Sequence, residues 1–146
     1  MLYEDIKKLE KDKDGWFLLE GKKYCYVHNT AKIAEGVDIA EGAHIGKWAR
    51  IGEGVRINAR VMIAERACIG AGAKVRARAY IGKKAIIREE AVIGVGAYIG
   101  AEAYIGTGVY IGEDANIGTG TQIRERSIIR AQTNNGAKAK IHDGVK

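Results

Sequence analysis

The chain of 146 residues contains no proline and only two cysteines, Cys25 and Cys68. The cysteines fall in segments that we expect to form different elements, so a disulfide framework is not expected and a reducing, cytoplasmic location is favoured. No stretch approaches the roughly 20 consecutive apolar residues of a membrane-spanning helix. The first residues also lack the apolar core and cleavage site of a secretory signal. The absences therefore argue against a secreted disulfide scaffold and against a helical membrane protein.

The composition is that of a globular protein. Hydrophobic residues make up 47% of the chain and charged residues 29%, which excludes a disordered polymer. The length suits one domain with a real core and is too short for two. The net charge of +6 allows anionic partners but does not require them.

An aliphatic residue recurs at every sixth position from Ile33 to Ile129 without an insertion, and each is isoleucine except Val75. Four positions after each of them stands alanine, valine, serine or threonine, and glycine clusters one or three positions after it. An α-helix with 3.6 residues per turn cannot keep this period on one face. A short strand followed by a three-residue corner can keep this period. Branched isoleucine then fills the interior, and glycine takes the turn conformations.

Over about residues 28–134, this repeat resembles that of the hexapeptide-repeat family, which belongs to the acyl- and acetyltransferase-like superfamily. The resemblance implies an all-β fold, a left-handed parallel β-helix in which three hexads make one triangular coil. The chain then forms about six coils, and at ~4.8 Å per stacked strand the prism is roughly 27 Å tall. The segment from His28 to Ile33 is also similar to the His-Pro-Thr-Ala-x-Ile motif of many sugar N-acetyltransferases of this family, with Asn29 in place of proline.

The N-terminal segment lacks the repeat and is predicted to cap the first coil. Residues 1–13 place apolar side chains at helical spacing, which predicts a short amphipathic helix. Two aromatic-rich stretches, Trp16 to Leu19 and Lys23 to Val27, follow a turn signal and predict a β-hairpin. We therefore divide the chain into a cap over residues 1–29 and a β-helix over residues 30–146, with a last partial coil from about residue 135. Such a cap would cover strand edges that otherwise invite aggregation.

The residue before each interior aliphatic points outward, and stacking by coil sorts these residues into three faces. Face A carries Asp38, Arg56, Lys74, Val92, Tyr110 and Ile128. Face B carries His44, Met62, Tyr80, Tyr98, Asn116 and Asn134. Face C carries Arg50, Cys68, Ile86, Tyr104, Gln122 and Lys140. The apolar patches predict a partner surface, and the resemblance implies a homotrimer through faces that include the four tyrosines; the alternative is aromatic packing along each ladder.

Family acyltransferases usually take their general base from a histidine at a coil corner, and no corner position of this chain holds one. His44, mid-strand in the first coil, is the candidate catalytic residue; its alternative role is that of an ordinary strand residue. His142, beside Asp143, is a weaker candidate, and His28 matches a non-catalytic motif position. Paired corner acids form a further alternative, although such acids are usually just solvated: Glu89 with Glu90, and Glu113 with Asp114.

No metal site is expected. The γ-class carbonic anhydrases share the predicted fold and bind zinc through three histidines at subunit boundaries, two of them close in sequence. His44 and His142 would lie about five coils apart, on the order of 25 Å at strand spacing. Without a close pair, a three-histidine zinc site is not predicted.

Arginines cluster at successive corners and predict an anion site. Arg60, Arg76 and Arg78, together with Asn58, fall at one corner of two adjacent coils. Guanidinium groups one coil apart would suit the phosphates of coenzyme A or of a nucleotide sugar. Further groups are Arg66 with Lys84, and Arg124, Arg126 and Arg130. The alternative is that these residues serve solubility, as corner arginines usually do, and no aromatic-interleaved basic stripe predicts specific nucleic-acid binding.

Two classes of function follow. The resemblance implies an acyltransferase that uses acetyl-CoA or acyl-CoA as a co-substrate, binds no cofactor tightly, and acylates a sugar or another small acceptor. The alternative is a non-catalytic structural or scaffolding β-helix, natural or engineered, which suits the unbroken repeat and the lack of proline.

Overall fold

The computed structural model describes residues 1–136 and 140–141. A single helical turn, α1 (Tyr3–Ile6), is followed by strands that mostly have two residues each. The strands are, in chain order, β1 (Trp16–Leu19), β2 (Lys22–Val27), β3 (Lys32–Ile33), β4 (Asp38–Ile39), β5 (His44–Ile45), β6 (Arg50–Ile51), β7 (Arg56–Ile57), β8 (Met62–Ile63), β9 (Cys68–Ile69), β10 (Lys74–Val75), β11 (Tyr80–Ile81), β12 (Ile86–Ile87), β13 (Val92–Ile93), β14 (Tyr98–Ile99), β15 (Tyr104–Ile105), β16 (Tyr110–Ile111), β17 (Asn116–Ile117), β18 (Gln122–Ile123), β19 (Ile128–Ile129), β20 (Asn134–Asn135) and β21 (Lys140–Ile141).

Every third strand pairs in parallel, which builds three sheets around one axis. Tyr80 lies opposite Tyr98, for example, and Ile81 opposite Ile99. The sheet of face A contains β4, β7, β10, β13, β16 and β19, and the sheet of face C runs from β3 to β21. The sheet of face B runs from the hairpin β1–β2 through β5 to β20. The predicted β-solenoid of about six coils and its three faces are confirmed.

The interior is filled by the aliphatic series and lined by the small series. From β4 to β19 the second residue of each strand is buried, and most of these isoleucines are fully so. The small residues between Val37 and Ala115 are buried as well, and so are the polar Thr121 and Ser127. The Thr121 hydroxyl donates to the Gly136 carbonyl and that of Ser127 to the Arg124 carbonyl, so neither buried oxygen lacks a partner.

The two groups of glycine serve different purposes. The third residue after each interior aliphatic lies in the left-handed region: Gly96 does so with φ of 69°, and so do ten non-glycine residues at equivalent corners. Glycines directly after the aliphatic do not have positive φ; they allow close approach between coils. A Cβ on Gly82 would lie 2.6 Å from the Ala101 backbone nitrogen. Only the first group therefore has the turn role that the sequence predicts for both.

The N-terminal cap is continuous with the first coil. The predicted short helix and hairpin are confirmed, but the helix is a single turn, and Leu2 directly before it forms an antiparallel bridge with Asp38. Ile6, Phe17 and Cys25 are buried in the same core as the coils. Burial raises the pKa of the Cys25 thiol to about 12, and both cysteines are free. No helix among the described residues is long and apolar enough to cross a membrane.

At the C-terminal end β20 pairs with β17, and β21 pairs with β18. The predicted last partial coil from about residue 135 falls largely outside the described residues. His142 and Asp143, the weaker candidate base and its neighbour, also lie outside them.

Candidate functional site

His44 lies mid-strand on face B, as predicted, but under the N-terminal hairpin. Its ring stacks on Tyr26, with ring centroids 4.4 Å apart and an interplanar angle of 13°. Trp16 meets it edge-on at 6.1 Å. The parallel pairing of β2 with β5 sets this contact, because it places Tyr26 directly opposite His44. The half-buried imidazole therefore has an aromatic wall on the side of the hairpin.

The surroundings of His44 favour its neutral form. Burial lowers its pKa below the usual 6.5, and the nearby His28 lowers it further, against an opposing backbone hydrogen bond. A histidine in this state is uncharged at neutral pH and able to accept a proton. The local chemistry is thus that of an available base.

The predicted basic corner borders an open cavity of about 540 Å³ between faces A and B. Arg60 and Arg78 line it one above the other, at the left-handed position of successive coils. Arg76, predicted with them, does not line this cavity. Lys23 and Trp16 from the hairpin do, together with Glu41. Three cations therefore line a cavity with one carboxylate, and one of them, Lys23, also pairs with Asp12 at 3.9 Å.

Trp16 connects the histidine to this cavity. Its ring touches His44 on one side, and its side chain lines the basic cavity on the other. The Lys23 ammonium lies 5.4 Å from the centroid of the same ring, within cation–π distance. The structure thus brings His44, Arg60 and Arg78 to one region of the first coils, which we call the first-coil site, with Trp16 and Lys23 as further members.

The sequence does not predict a role for these hairpin residues in a site, because its pattern indicates only a cap there. One signal was available: Val27 continues the six-residue series below Ile33, so Tyr26 occupies the outward position one coil below His44. Trp16 and Lys23 belong to no periodic series. Their placement follows from how the hairpin folds over the corner, which the repeat does not encode.

The other candidate groups lie apart from the first-coil site. Glu89 accepts hydrogen bonds from Arg88 and Thr107. A backbone hydrogen bond, then the Arg88 side chain, lower the pKa of Glu89, which makes it a weaker base. Glu113 and Asp114 are exposed, and so are the arginines of the C-terminal group. Arg66 of the adjacent corner pairs with Glu65 at 2.8 Å.

The tyrosines predicted to form an oligomer interface are spread over all three faces. Tyr80 and Tyr98 stack on face B with ring centroids 5.0 Å apart, so part of the expected ladder packing is present. Tyr104 on face C accepts a hydrogen bond from Arg88, while Tyr110 lies exposed on face A. Within the described residues no group of three histidine, cysteine, aspartate or glutamate side chains could hold a metal ion.

Comparison with known proteins agrees with this fold. The family model for the bacterial transferase hexapeptide, six repeats, matches residues 48–83. The matched part thus carries the hexapeptide repeat that the sequence predicts, and the fold of the chain is similar to that of solved acyltransferases. No curated protein sequence matches the chain at a significant level.

Three solved structures illustrate the likeness. A mutant of perosamine N-acetyltransferase from Caulobacter crescentus, in complex with CoA and GDP-perosamine, has a TM-score of 0.65 and 15% identity over 77% of this chain and 53% of its own. The acetyltransferase domain of PglB from Neisseria gonorrhoeae has a TM-score of 0.64 and 18% identity over 84% and 51%. UDP-N-acetylglucosamine O-acyltransferase from Moraxella catarrhalis has a TM-score of 0.60 and 19% identity, over 74% of this chain and 52% of its own. At these identities the likeness shows the fold, and the chain spans about half the length of these proteins.

Proposed function

We propose that the protein is an acyltransferase that takes an acyl group from acetyl-CoA or another acyl-CoA at the first-coil site. The acceptor is the hydroxyl or amine of a sugar or another small molecule. The observation that carries this proposal is the position of Trp16, which contacts His44 and also lines the basic cavity. Trp16 thereby connects a candidate base and a candidate phosphate-binding corner into one candidate site.

The residues of the first-coil site fit a coenzyme A thioester. Arg60, Arg78 and Lys23 supply the donors that phosphate oxygens require, and Trp16 offers an aromatic surface beside them. The acceptor oxygen or nitrogen bonds to the thioester carbonyl carbon of the donor as the carbon–sulfur bond breaks, and coenzyme A leaves as its thiolate. His44 takes the proton that the acceptor loses, which its lowered pKa allows at neutral pH.

A transfer assay tests the role of His44. Release of free thiol from acetyl-CoA is followed with a panel of amino sugars as acceptors. His44→Gln should lower kcat by about 100-fold or more, the usual contribution of a general base, while acetyl-CoA still binds. Asn116→Ala, an exposed change higher on face B, is the matched control and should leave kcat unchanged. Equal turnover in wild type and His44→Gln would remove His44 from the mechanism.

One observation favours the non-catalytic alternative. The His44 ring is stacked on Tyr26 much as Tyr80 is stacked on Tyr98, which is also what ladder packing alone would produce. A scaffold of this kind would show neither acetyl-CoA binding nor thiol release. Absence of both in a folded protein would favour the structural β-helix.

We also propose a homotrimer formed through the outer faces. Exposed apolar side chains occur on face B at Met62 and Tyr98 and on face A at Tyr110 and Ile128. Patches of this kind are common at interfaces between subunits. Light scattering should give the mass of three chains, and Tyr98→Lys with Tyr110→Lys should reduce it to that of one. A wild-type mass of one chain would contradict the proposal.

A further inference from the structure

Trp48 stands at a corner with its side chain half exposed. It lies between faces B and C, it is 53% exposed, and its φ is 60°. Among the described residues it is the only apolar side chain in the left-handed region. That region crowds the Cβ of every residue except glycine, and bulky residues there are rare. Such an outlier, kept at a cost to the fold, suggests a function.

Side chains hold the Trp48 backbone in place. At higher corners the equivalent N–H donates to a backbone carbonyl of the coil below; that of Arg66, for example, donates to the Lys47 carbonyl at 2.8 Å. The Trp48 N–H donates instead to the Thr30 hydroxyl oxygen at 2.9 Å. His28 fixes this oxygen through its Nδ1, at 2.8 Å. At this corner the Thr30 side chain, held by His28, therefore replaces the backbone carbonyl that accepts the hydrogen bond at higher corners.

Cations surround the exposed indole. Trp48 lines an open cavity of about 440 Å³ on the side of face C, together with Lys32, Arg50 and Arg66. Lys32 and Arg50 are direct neighbours on paired strands, and no carboxylate of the described residues lies within ion-pairing distance of either. Arg66 is already paired with Glu65. Lys32 and Arg50, two cations without an ion-pair partner among the described residues, thus lie beside the exposed indole of Trp48.

We propose that this corner is a second ligand site, which binds a nucleoside phosphate. The base stacks on the Trp48 indole, and Lys32 and Arg50 hold the phosphate groups. The cavity shares no lining residue with the basic cavity of the first-coil site, so the proposal goes beyond the acyltransferase function and does not depend on it. A simple anion site would explain the cations but not the strained, exposed indole.

Tryptophan fluorescence tests the proposal directly. The chain has two tryptophans, so Trp16→Phe leaves Trp48 as the only reporter. Titration of this variant with adenosine diphosphate should quench the emission along a saturable curve. Inorganic pyrophosphate, which lacks a base, should bind at least about tenfold more weakly, because stacking on an aromatic ring contributes that much. Absence of saturable quenching, or equal binding of pyrophosphate, would overturn the proposal.

Trp48→Gly separates binding from folding. Glycine suits the left-handed corner, so this variant should have a higher Tm than wild type while its calorimetric affinity for adenosine diphosphate falls about tenfold or more. Lys84→Gly is the matched control: Lys84 has φ of 61° in the same corner column, and its replacement should raise the Tm without changing affinity. Arg50→Glu, at a position with ordinary φ, should abolish binding of adenosine diphosphate. Unchanged affinity in Trp48→Gly would overturn the proposal.

Discussion

At the scale of single residues, the corners carry most of the local strain. The residue that turns each corner has positive φ whether or not it is glycine, as at Arg60, Glu90 and Glu102. For an L-residue this conformation costs roughly 1–2 kcal/mol. Glycine avoids that cost but loses about 0.5–1 kcal/mol through the entropy of the unfolded chain. The two effects leave a net gain for glycine.

Glu102→Gly should therefore raise the free energy of unfolding by roughly 0.5–1 kcal/mol, the difference between these two contributions. The adjacent Ala101→Gly is the control, because Ala101 lacks positive φ and glycine there brings only the entropic loss. Urea denaturation of both variants measures the effect. A loss of stability in Glu102→Gly equal to that in Ala101→Gly would show that the corner is unstrained.

His44 predicts a dependence of stability on pH. Its folded-state pKa is lowered by burial, so the unfolded chain takes up the proton first as the pH falls. The stability associated with neutral His44 is full above its usual pKa of 6.5 and is lost as the pH drops through the lower, folded-state value. Wild type should lose more free energy of unfolding than His44→Gln between about pH 7.5 and about pH 5.

Urea denaturation at both pH values measures this difference. Parallel losses in wild type and His44→Gln would mean that the imidazole is not perturbed. The same titration should appear as the acid limb of kcat/KM if His44 is the general base.

At the scale of elements, each two-residue strand has one residue facing outward and one facing inward. In β12 both are isoleucine: Ile86 is 39% exposed and Ile87 only 1%. The pair isolates the effect of position from that of residue type. Ile87→Ala should cost about 2–5 kcal/mol because it leaves a cavity in the axial core.

Ile86→Ala should cost well under half as much, because its side chain is already partly in water. Chemical denaturation at low protein concentration limits any contribution from subunit contacts at Ile86. Similar costs for the two variants would contradict the assignment of inner and outer residues.

The strands were predictable because each hexad repeats the same residue pattern. Isoleucine, a small residue and a corner residue recur with no insertion, so strand positions, register and faces follow from counting. The N-terminal hairpin was predictable as an element, but its contacts were not. The stacking of Tyr26 on His44 follows from the eighteen-residue coil once β2 is recognised as part of face B. The approach of Trp16 and Lys23 to the basic corner depends on tertiary folding of the hairpin and has no periodic signature.

At the scale of the whole molecule, the repeat defines a uniform prism, and the first coils depart most from that uniformity. Both candidate ligand sites lie there: the first-coil site at the corner between faces A and B, and the Trp48 cavity at the next corner. In the repeat alone, His44 lies mid-strand on face B, whereas Arg60 and Arg78 lie at a corner. They belong to one site because the hairpin spans the distance between them through Trp16.

The most direct test of this account is calorimetric titration with acetyl-CoA at moderate salt. Wild type should bind saturably, and Arg60→Glu with Arg78→Glu should weaken binding at least about tenfold. Glutamate is compatible with these corners, since Glu90 and Glu102 adopt the same conformation. Arg124→Glu with Arg126→Glu makes the same charge change elsewhere on the solenoid and should leave affinity unchanged. Equal weakening by both pairs, or no saturable binding in wild type, would contradict an acyl-CoA site at the first coils.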